Sequence, residues 1–435
     1  MDKDMNGKQP NALVRLMKTT AKIEGNELRS VLLAFAFVFT LMAAWYILRP
    51  VRDAMASDWS DAEVSILWNI NFFASVLVVG LYGIAVSRVS FKYLVPGVYG
   101  FFAMTFIGFY FGVSALDDRV LIDKIFYVWV SVFSLFHISV FWSFMSDLFN
   151  KEQSNRLFAF IAAGSSAGAL VGPLIPALFA DNLGVDMLML IASVALLVPI
   201  GIVLYLERLK VTDLHNEDVH ADLSAAKIGG NPFAGFKMFI SNPYLLAIGA
   251  FILLYTTIGS FVYFEQKNLL AEYTREERTE ILAIIDWVVN ILTFGIGMFA
   301  TSRIVSKFGM ATTLALVPVF IAAGLLILAF APMLTVVLAL QVARRAGNYA
   351  ITRPAREMLF TAVDRETRFK AKPVIDIVVY RGGDALSSIA FAGLTEGVGL
   401  GLAAMAAIGA GIAAVWAAVG AYLGGMFKRI GGSTE

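Results

Sequence analysis

Apolar stretches of about 20 residues recur along this chain, and that is the length an α-helix needs to cross roughly 30 Å of hydrocarbon. They fall near 30–55, 64–86, 93–114, 124–147, 157–180 and 186–206. After a polar stretch they resume near 243–266, 279–302, 311–330, 333–353, 372–395 and 400–426. The narrowest break is the turn at Phe330–Met333. The expected fold class is an all-α membrane protein of twelve transmembrane helices in two pseudo-symmetric six-helix bundles, 1–206 and 243–435, joined by a linker at 207–242. That linker is too short for an enzymatic domain and is expected to bridge the bundles as partly helical chain.

Composition agrees. Of 435 residues, 59% are hydrophobic and 15% charged, with mean hydropathy +0.75. Soluble chains have a charged share nearer 25% and need the polar surface that goes with it. A net charge of +1 leaves no dominant basic face for a nucleic-acid polymer. Zero cysteines exclude disulfides, thiolate metal sites and cysteine nucleophiles. The first apolar run, Val31 to Leu48, is longer than a signal-peptide core, and Arg49-Pro50-Val51-Arg52-Asp53 follows it instead of a cleavage site. It reads as an uncleaved first span.

Loop charge is independent of hydropathy and gives orientation. With both ends inside, inner segments hold 24 of the 34 Lys and Arg residues, whereas outer loops hold only Arg119, Lys124, Lys267, Arg275 and Arg278. Every inner loop obeys the positive-inside bias, and an odd number of spans breaks the alternation. The halves also echo one another. Trp68 with Asn71 on the second span matches Trp287 with Asn290 on the eighth, and Ser87-Arg88 matches Ser302-Arg303. Leu148-Phe149 with Glu152 and Arg156 matches Leu359-Phe360 with Glu366 and Arg368. Duplicated halves place a transporter's site near mid-membrane, where the two bundles meet.

Five arginines lie within spans: Arg49, Arg52, Arg344, Arg345 and Arg381. At about 2.5–3.5 kcal/mol each near the bilayer centre, they would together cost about 12–17 kcal/mol facing lipid. They are therefore expected to face a wet cavity or a carboxylate, with Asp53, Asp286, Asp376 and Asp384 as acidic neighbours. Arg49 and Arg52 share a helical face beside the kink expected at Pro50 and can reach either the cavity or the headgroups. Arg344 and Arg345 diverge by about 100°, so helix geometry alone does not aim both at one ligand. Arg381 and Asp384 stand one turn apart, as a structural pair would. Asp286, one turn from Asn290, is open to two readings, a proton or cation site or an arginine's partner. Trp68, Trp287, Tyr349 and Tyr380 can stack a base.

His137 is expected to pack, and His215 and His220 lie in the acidic linker without metal spacing. The small residues from Gly164-Ser165-Ser166-Ala167-Gly168 to Gly172-Pro173 are expected to bring helices close, as is the Gly- and Ala-rich last span. No serine elbow, histidine beside a nucleophile or metal-ligand cluster is present, so neither catalysis nor a cofactor is expected.

The six-plus-six plan, with basic loops after the second and eighth spans, resembles the major facilitator superfamily, although Gly83-Ile84-Ala85-Val86-Ser87-Arg88 lacks the acid usual before the arginine. A narrower resemblance covers nearly the whole chain. Tyr46-Ile47-Leu48-Arg49-Pro50-Val51-Arg52-Asp53 looks like the first-span signature of the non-mitochondrial ATP/ADP translocases of plastids and bacteria. Ser146-Asp147-Leu148-Phe149 with Glu152 to Phe158, Arg353 to Phe360, and Lys370 to Asp376 are similar to further segments of that family.

The resemblance implies that Arg52 stands in the place of an important lysine and Glu152 in that of an important glutamate. Where nucleotide exchangers resemble Gly-Lys-Ser-Gly on the eleventh span, this chain reads Arg381-Gly382-Gly383-Asp384. The expected function is ATP:ADP-type nucleotide or other phosphorylated-anion antiport by alternating access. The alternative is proton-coupled transport of another small organic solute through Asp286 or Asp384. The expected binding residues are Arg49, Arg52, Trp68, Asn71, Asp286, Trp287, Asn290, Arg344, Arg345, Tyr349, Arg381 and Asp384. Glu152, Arg156, Arg88 and Arg303 are expected to gate or couple. A monomer in the bacterial inner membrane, with both ends cytoplasmic and a small anion as its partner, completes the expectation.

Overall fold

The computed structural model describes residues 23–115, 118–216, 234–299, 301–364, 367, 370–372 and 374–431. The first half contains α1 (Leu28–Met55), α2 (Asp61–Arg88), α3 (Phe91–Ala115), α4 (Arg119–Leu148), α5 (Lys151–Val171), α6 (Leu174–Leu183), α7 (Val185–Ala195) and α8 (Val198–Thr212). A short α9 (Ala234–Ser241) falls inside the expected linker, whose residues 217–233 lie outside the described ones. The second half contains α10 (Pro243–Leu270), α11 (Arg275–Phe299), α12 (Thr301–Phe330), α13 (Leu334–Gly347), α14 (Arg353–Leu359), α15 (Tyr380–Ala392) and α16 (Leu402–Gly431). There is no strand among the described residues.

Ten segments are long and apolar enough to cross a membrane, from Leu28–Asp58 to Leu402–Ile430. Two of them are jointed. Gly172-Pro173 separates α5 from α6, and Pro199 opens α8 just past the break after α7, because proline supplies no amide hydrogen to a continuing helix. The other two expected spans are helical but neither uniform nor uniformly apolar. α13 runs through a wide π turn, Asn348–Thr352, into α14, and α15 lies between π turns at Val374–Val379 and Gly393–Gly397. These two segments carry Arg344, Arg345, Arg381 and Asp384. A π turn releases backbone groups from the regular ladder and is frequent at functional sites.

Two apolar cores hold the fold together. One is built from residues between Ile23 and Leu214, with Phe261, Phe264, Phe391 and Met405 reaching in from the second half; the other runs from Tyr244 to Leu423. With lipid outside as apolar as leucine, close backbone contact takes over from hydrophobic burial as the force between helices. Gly164, Gly168 and Gly172, spaced one turn apart on α5, lie against the carbonyls of Phe35, Phe39 and Ala43 on α1. A Cβ at Gly164 would stand 2.6 Å from Phe35 O, and one at Gly172 2.7 Å from Ala43 O. The last span packs the same way, with Gly420 facing Leu314 and Gly424 facing Ala311 on α12. The small-residue runs are thus packing surfaces.

Gly168→Val drives a branched side chain into the Phe39 carbonyl and the Met42 side chain. It should destabilise the protein by about 1–3 kcal/mol, as overpacking does. Thermal unfolding in detergent should show the loss, while Gly97→Ala, where a Cβ meets nothing within 4 Å, should show none.

Candidate functional site

Where the halves meet, a cavity of about 240 Å³ is walled by side chains from both. α1 contributes Arg49, Arg52 and Asp53, α2 contributes Trp68, Asn71 and Phe72, and α4 contributes Tyr127, Ser131 and Ser134. Opposite them stand Tyr255, Thr256, Tyr263 and Gln266 of α10 and Asp286 of α11. Gln341, Arg344 and Arg345 of α13, Tyr349 of its π turn, and Tyr380, Arg381 and Asp384 complete the wall. All five arginines expected within spans line this cavity.

Three of the expected carboxylates join them, but Asp376 does not: it lies 3.6 Å from Arg356, away from the cavity. Asp53 takes Arg52 at 2.6 Å and Arg49 at 3.7 Å. Asp286 Oδ1 takes both Arg345 Nη2 at 2.5 Å and Arg49 Nη1 at 3.3 Å. Arg344 donates to Gln341 Oε1 at 2.7 Å and lies over the Tyr255 ring, with no carboxylate within ion-pair distance among the described residues. The expected Arg381–Asp384 pair does not form. Neither residue makes an ion pair among the described residues, so one helical turn of spacing sets both on the wall without closing the pair. Arg344 and Arg345 diverge as adjacent helical residues must, yet both line the cavity. α13 meets it head-on, and each long side chain leans to one side, toward Tyr255 or toward Asp286.

Two quantities describe the wall. Five arginines against three aspartates leave a formal surplus of two positive charges. Arg52 bonds Asp53 and, at 3.2 Å, Ser131, but Arg49, Arg345 and Arg381 donate no hydrogen bond among the described residues. Arg345 Nε and Nη2 are buried without an acceptor, because the short contact to Asp286 is misaligned for a hydrogen bond. Guanidinium donors left unused toward a cavity match oxyanions, which they bind through paired N–H···O contacts.

The cavity is roofed on the face opposite the chain ends. Trp68 Nε1 donates to Tyr127 OH at 2.8 Å, Tyr127 and Tyr263 share a hydroxyl–hydroxyl bond of 2.9 Å, and Phe264 stacks on Phe391. Beyond this aromatic layer, all five basic residues expected in outer loops are paired. Lys267 reaches Asp61 at 2.7 Å, Arg275 reaches Asp58 and Asp123, Arg278 reaches Asp58, Arg119 reaches Asp186, and Lys124 reaches Glu63. The Lys267, Arg275 and Arg278 pairs join the two halves. Thr395 and Asn268 also bind Asp61, and Glu396 accepts from the Ala62 amide. The sequence signal for this closure is the acidic pair Asp58 and Asp61 opposite Lys267, Arg275 and Arg278, which stand among five glutamates from Glu265 to Glu280 that mask it.

Several expected site residues fall elsewhere. Trp287 does not line the cavity, so the Trp68–Trp287 echo marks equivalent helices and not equivalent contacts. Asn290 also stands off it. Its Oδ1 accepts from Tyr46 OH at 3.1 Å, and its Nδ2 donates to Ala169 O at 2.7 Å, tying α11 to α1 and α5. Arg88 is exposed at the end of α2, and Glu152 is 85% exposed and stands 4.0 Å from Arg156. The Arg303 side chain and Glu366 and Arg368 lie outside the described residues. Arg156 clamps the start of α1, donating to Glu27 at 2.8 and 3.1 Å. His137 packs against Trp45 and hydrogen-bonds Ser134 O, clear of the cavity. Residues missed on the wall include Tyr127, Ser131 and Ser134, and Gln341 one turn before Arg344. Their helical spacing was legible, but neutral side chains carry no insertion cost large enough to single them out.

Burial alone would push the Glu27 carboxyl up, but the Arg156 guanidinium and the Glu24 amide hold it below the usual 4.5. A carboxylate with a depressed folded pKa stabilises above the unfolded value, and that contribution is lost as pH falls through the folded one. Thermal unfolding of Glu27→Gln and the parent protein should differ at pH 6 and converge as pH falls below 4.5. An unchanged difference at low pH would refute the clamp.

A family model described as Major Facilitator Superfamily matches residues 33–354. No curated protein matches the sequence. Among solved structures, a bacterial homologue of the human lysosomal transporter Spinster, inward-facing and unoccupied, aligns at TM-score 0.55 and 17% identity, covering 92% of this chain and 97% of that one. The nucleoside transporter NupG aligns at TM-score 0.59 and 14% identity, with 92% and 99% covered. A bacterial homologue of the iron transporter ferroportin, inward-facing, aligns at TM-score 0.63 and 13% identity, with 92% and 99% covered. At such identities the likeness is one of fold.

Proposed function

We propose that this chain, which belongs to the major facilitator superfamily, is an antiporter of phosphorylated organic anions working by alternating access. The observation that carries the reading is the set of three cavity arginines, Arg49, Arg345 and Arg381, that donate no hydrogen bond among the described residues, with Arg49 and Arg345 sharing one Asp286 oxygen and Arg381 in no ion pair there. A scaffold would have no reason to hold unspent guanidinium groups at mid-membrane, where each is costly.

Charge decides the kind of anion. A phosphomonoester carries about −1.5 to −2 at neutral pH, which the cavity surplus of two positive charges balances. A triphosphate carries more charge than the surplus balances. The volume of about 240 Å³ also lies below the roughly 300–1,000 Å³ of drug-sized sites. The cargo favoured is therefore a compact phosphomonoester, with a nucleoside monophosphate at the large end, where Tyr255, Tyr349 or Tyr380 would stack the base. ATP:ADP exchange, the narrower expectation, requires the cavity to widen and recruit further positive charge. The 24-to-5 bias of basic residues supports a cytoplasmic placement of both chain ends in a bacterial inner membrane. In this reading the roofed face is the outer gate, shut.

Asp384 favours a second reading. It is a cavity carboxyl without an ion pair among the described residues, the group left to carry a proton for a proton-coupled carrier. Asp286, clamped between two arginines, is poorly suited to that task.

Purified protein should melt higher with phosphomonoesters than with inorganic phosphate, nucleoside triphosphates or amino acids. In proteoliposomes the best of these ligands should show counter-exchange that survives an uncoupler. Arg345→Gln and Arg381→Gln should each cut exchange by about 10–100-fold, the value of one or two charge-assisted hydrogen bonds. If an uncharged solute alone raises the melting temperature, the anion reading fails. Uptake that collapses with an uncoupler and in Asp384→Asn would establish the proton-coupled one.

A further inference from the structure

We propose that Asp286 is a resident stand-in for the transported anion, latching the empty carrier shut on the roofed face until a cargo takes Arg49 from it. This rests on the anion reading for the identity of the cargo, but the latch itself can be observed without any cargo.

The argument starts from geometry. Arg49 belongs to α1 in the first half, and Asp286 and Arg345 belong to the second. One oxygen of Asp286 stands 3.3 Å from Arg49 Nη1 and 2.5 Å from Arg345 Nη2. The carboxylate is 3% exposed, Arg345 7% and Arg49 19%, so salt screens the triad less than an exposed pair. Two other pairs with buried carboxylates join the halves, Lys267–Asp61 and Arg275–Asp123, but both lie beyond the aromatic layer and neither borders the cavity. The Arg49–Asp286 contact is therefore the ion pair between halves that a ligand in the cavity can reach.

Opening the roofed face draws α1 away from α11 and leaves Arg49 with only Asp53, 3.7 Å away and shared with Arg52, while Asp286 keeps Arg345, so a buried charge contact is given up at a cost. A phosphate oxygen reaching Arg49 replaces the carboxylate there and moves with α1, while Asp286 keeps Arg345. The pair is thus exchanged without being abandoned, and the halves are free to rock. The misaligned contacts fit this role. Arg345 and Arg49 donate no hydrogen bond to Asp286, so an oxyanion that aligns with their N–H groups competes well with it. Because only a loaded carrier is released from this state, the device keeps the empty carrier from opening on the roofed face, and uptake through that face needs cargo on the other side. Occupancy and gate are coupled through one carboxylate, and couplings of this kind are worth about 5–150-fold in an equilibrium.

The chain contains no cysteine, so reporter pairs can be introduced directly. Spin labels at Leu121→Cys and Glu272→Cys, both exposed on the roofed face and in opposite halves, read its opening by pulsed dipolar spectroscopy. Without ligand the parent protein should give one short distance. Asp286→Asn and Arg49→Gln, which break the same link from its two ends, should each raise the long-to-short ratio by about 5–150-fold without ligand. Asp53→Asn removes a carboxylate from the same guanidinium but within α1, and should leave the distribution as in the parent.

In proteoliposomes Asp286→Asn should lose the dependence of uptake through the roofed face on substrate trapped inside. The latch is overturned if neither Asp286→Asn nor Arg49→Gln lengthens the distance, or if Asp53→Asn lengthens it equally. If both link-breaking variants open the gate but no phosphate ester does so in the parent protein, the latch holds and the anion reading is what fails.

Discussion

A guanidinium group inside a bilayer must be hydrated, paired or turned toward a carboxylate, and five of them in one chain organise this molecule. Each alternative draws helices together around a common wet space, because lipid offers none of them. The solution adopted is mixed. Asp53 neutralises on α1 itself, Asp286 is shared between α1 and α13, and Arg344 and Arg381 remain without a carboxylate partner. The resulting surplus of positive charge is incompatible with a dry core and suits a cavity that receives an anion.

The helices that carry this charge are the least regular in the fold. α13 and α15 lack the uniform apolar length of the other ten spans and adjoin π turns. A straight apolar helix has no spare backbone polarity and one fixed direction for each side chain. Wide turns beside Arg345 and Arg381 loosen that constraint where the charged side chains gather, with α13 packed among α10, α11 and α12 and α15 against α10 and α2. Rigidity is concentrated elsewhere, in the glycine-lined contacts of α1 with α5 and of α12 with α16. Stiff helix pairs flanking a loosened, charged wall are suited to two bodies that rock.

Closure of one face is also electrostatic. Two ion-pair clusters, Lys267 with Asp61 and Arg275 and Arg278 around Asp58, cross between the halves above a layer of tryptophan, tyrosine and phenylalanine. The aromatic layer excludes water from the top of the cavity, which strengthens every charge interaction below it. Gate and site are then linked through the same two halves, with Asp286 positioned to let one sense the other.

Hydropathy and the cost of buried arginine are additive along the chain, and for that reason the sequence alone determined the all-helical, many-span architecture and which arginines would seek the cavity. Small-residue spacing was similarly legible, since Gly164, Gly168 and Gly172 recur once per turn. Pairing was not. Whether Asp384 meets Arg381, whether Asp376 or Asp53 joins the wall, and whether Trp287 and Asn290 face it depend on how two bundles are rotated against each other. That rotation is set by many weak contacts between distant residues, no one of which leaves a periodic trace. The tertiary structure alone decided that one carboxylate on α11 lies between guanidinium groups from opposite halves.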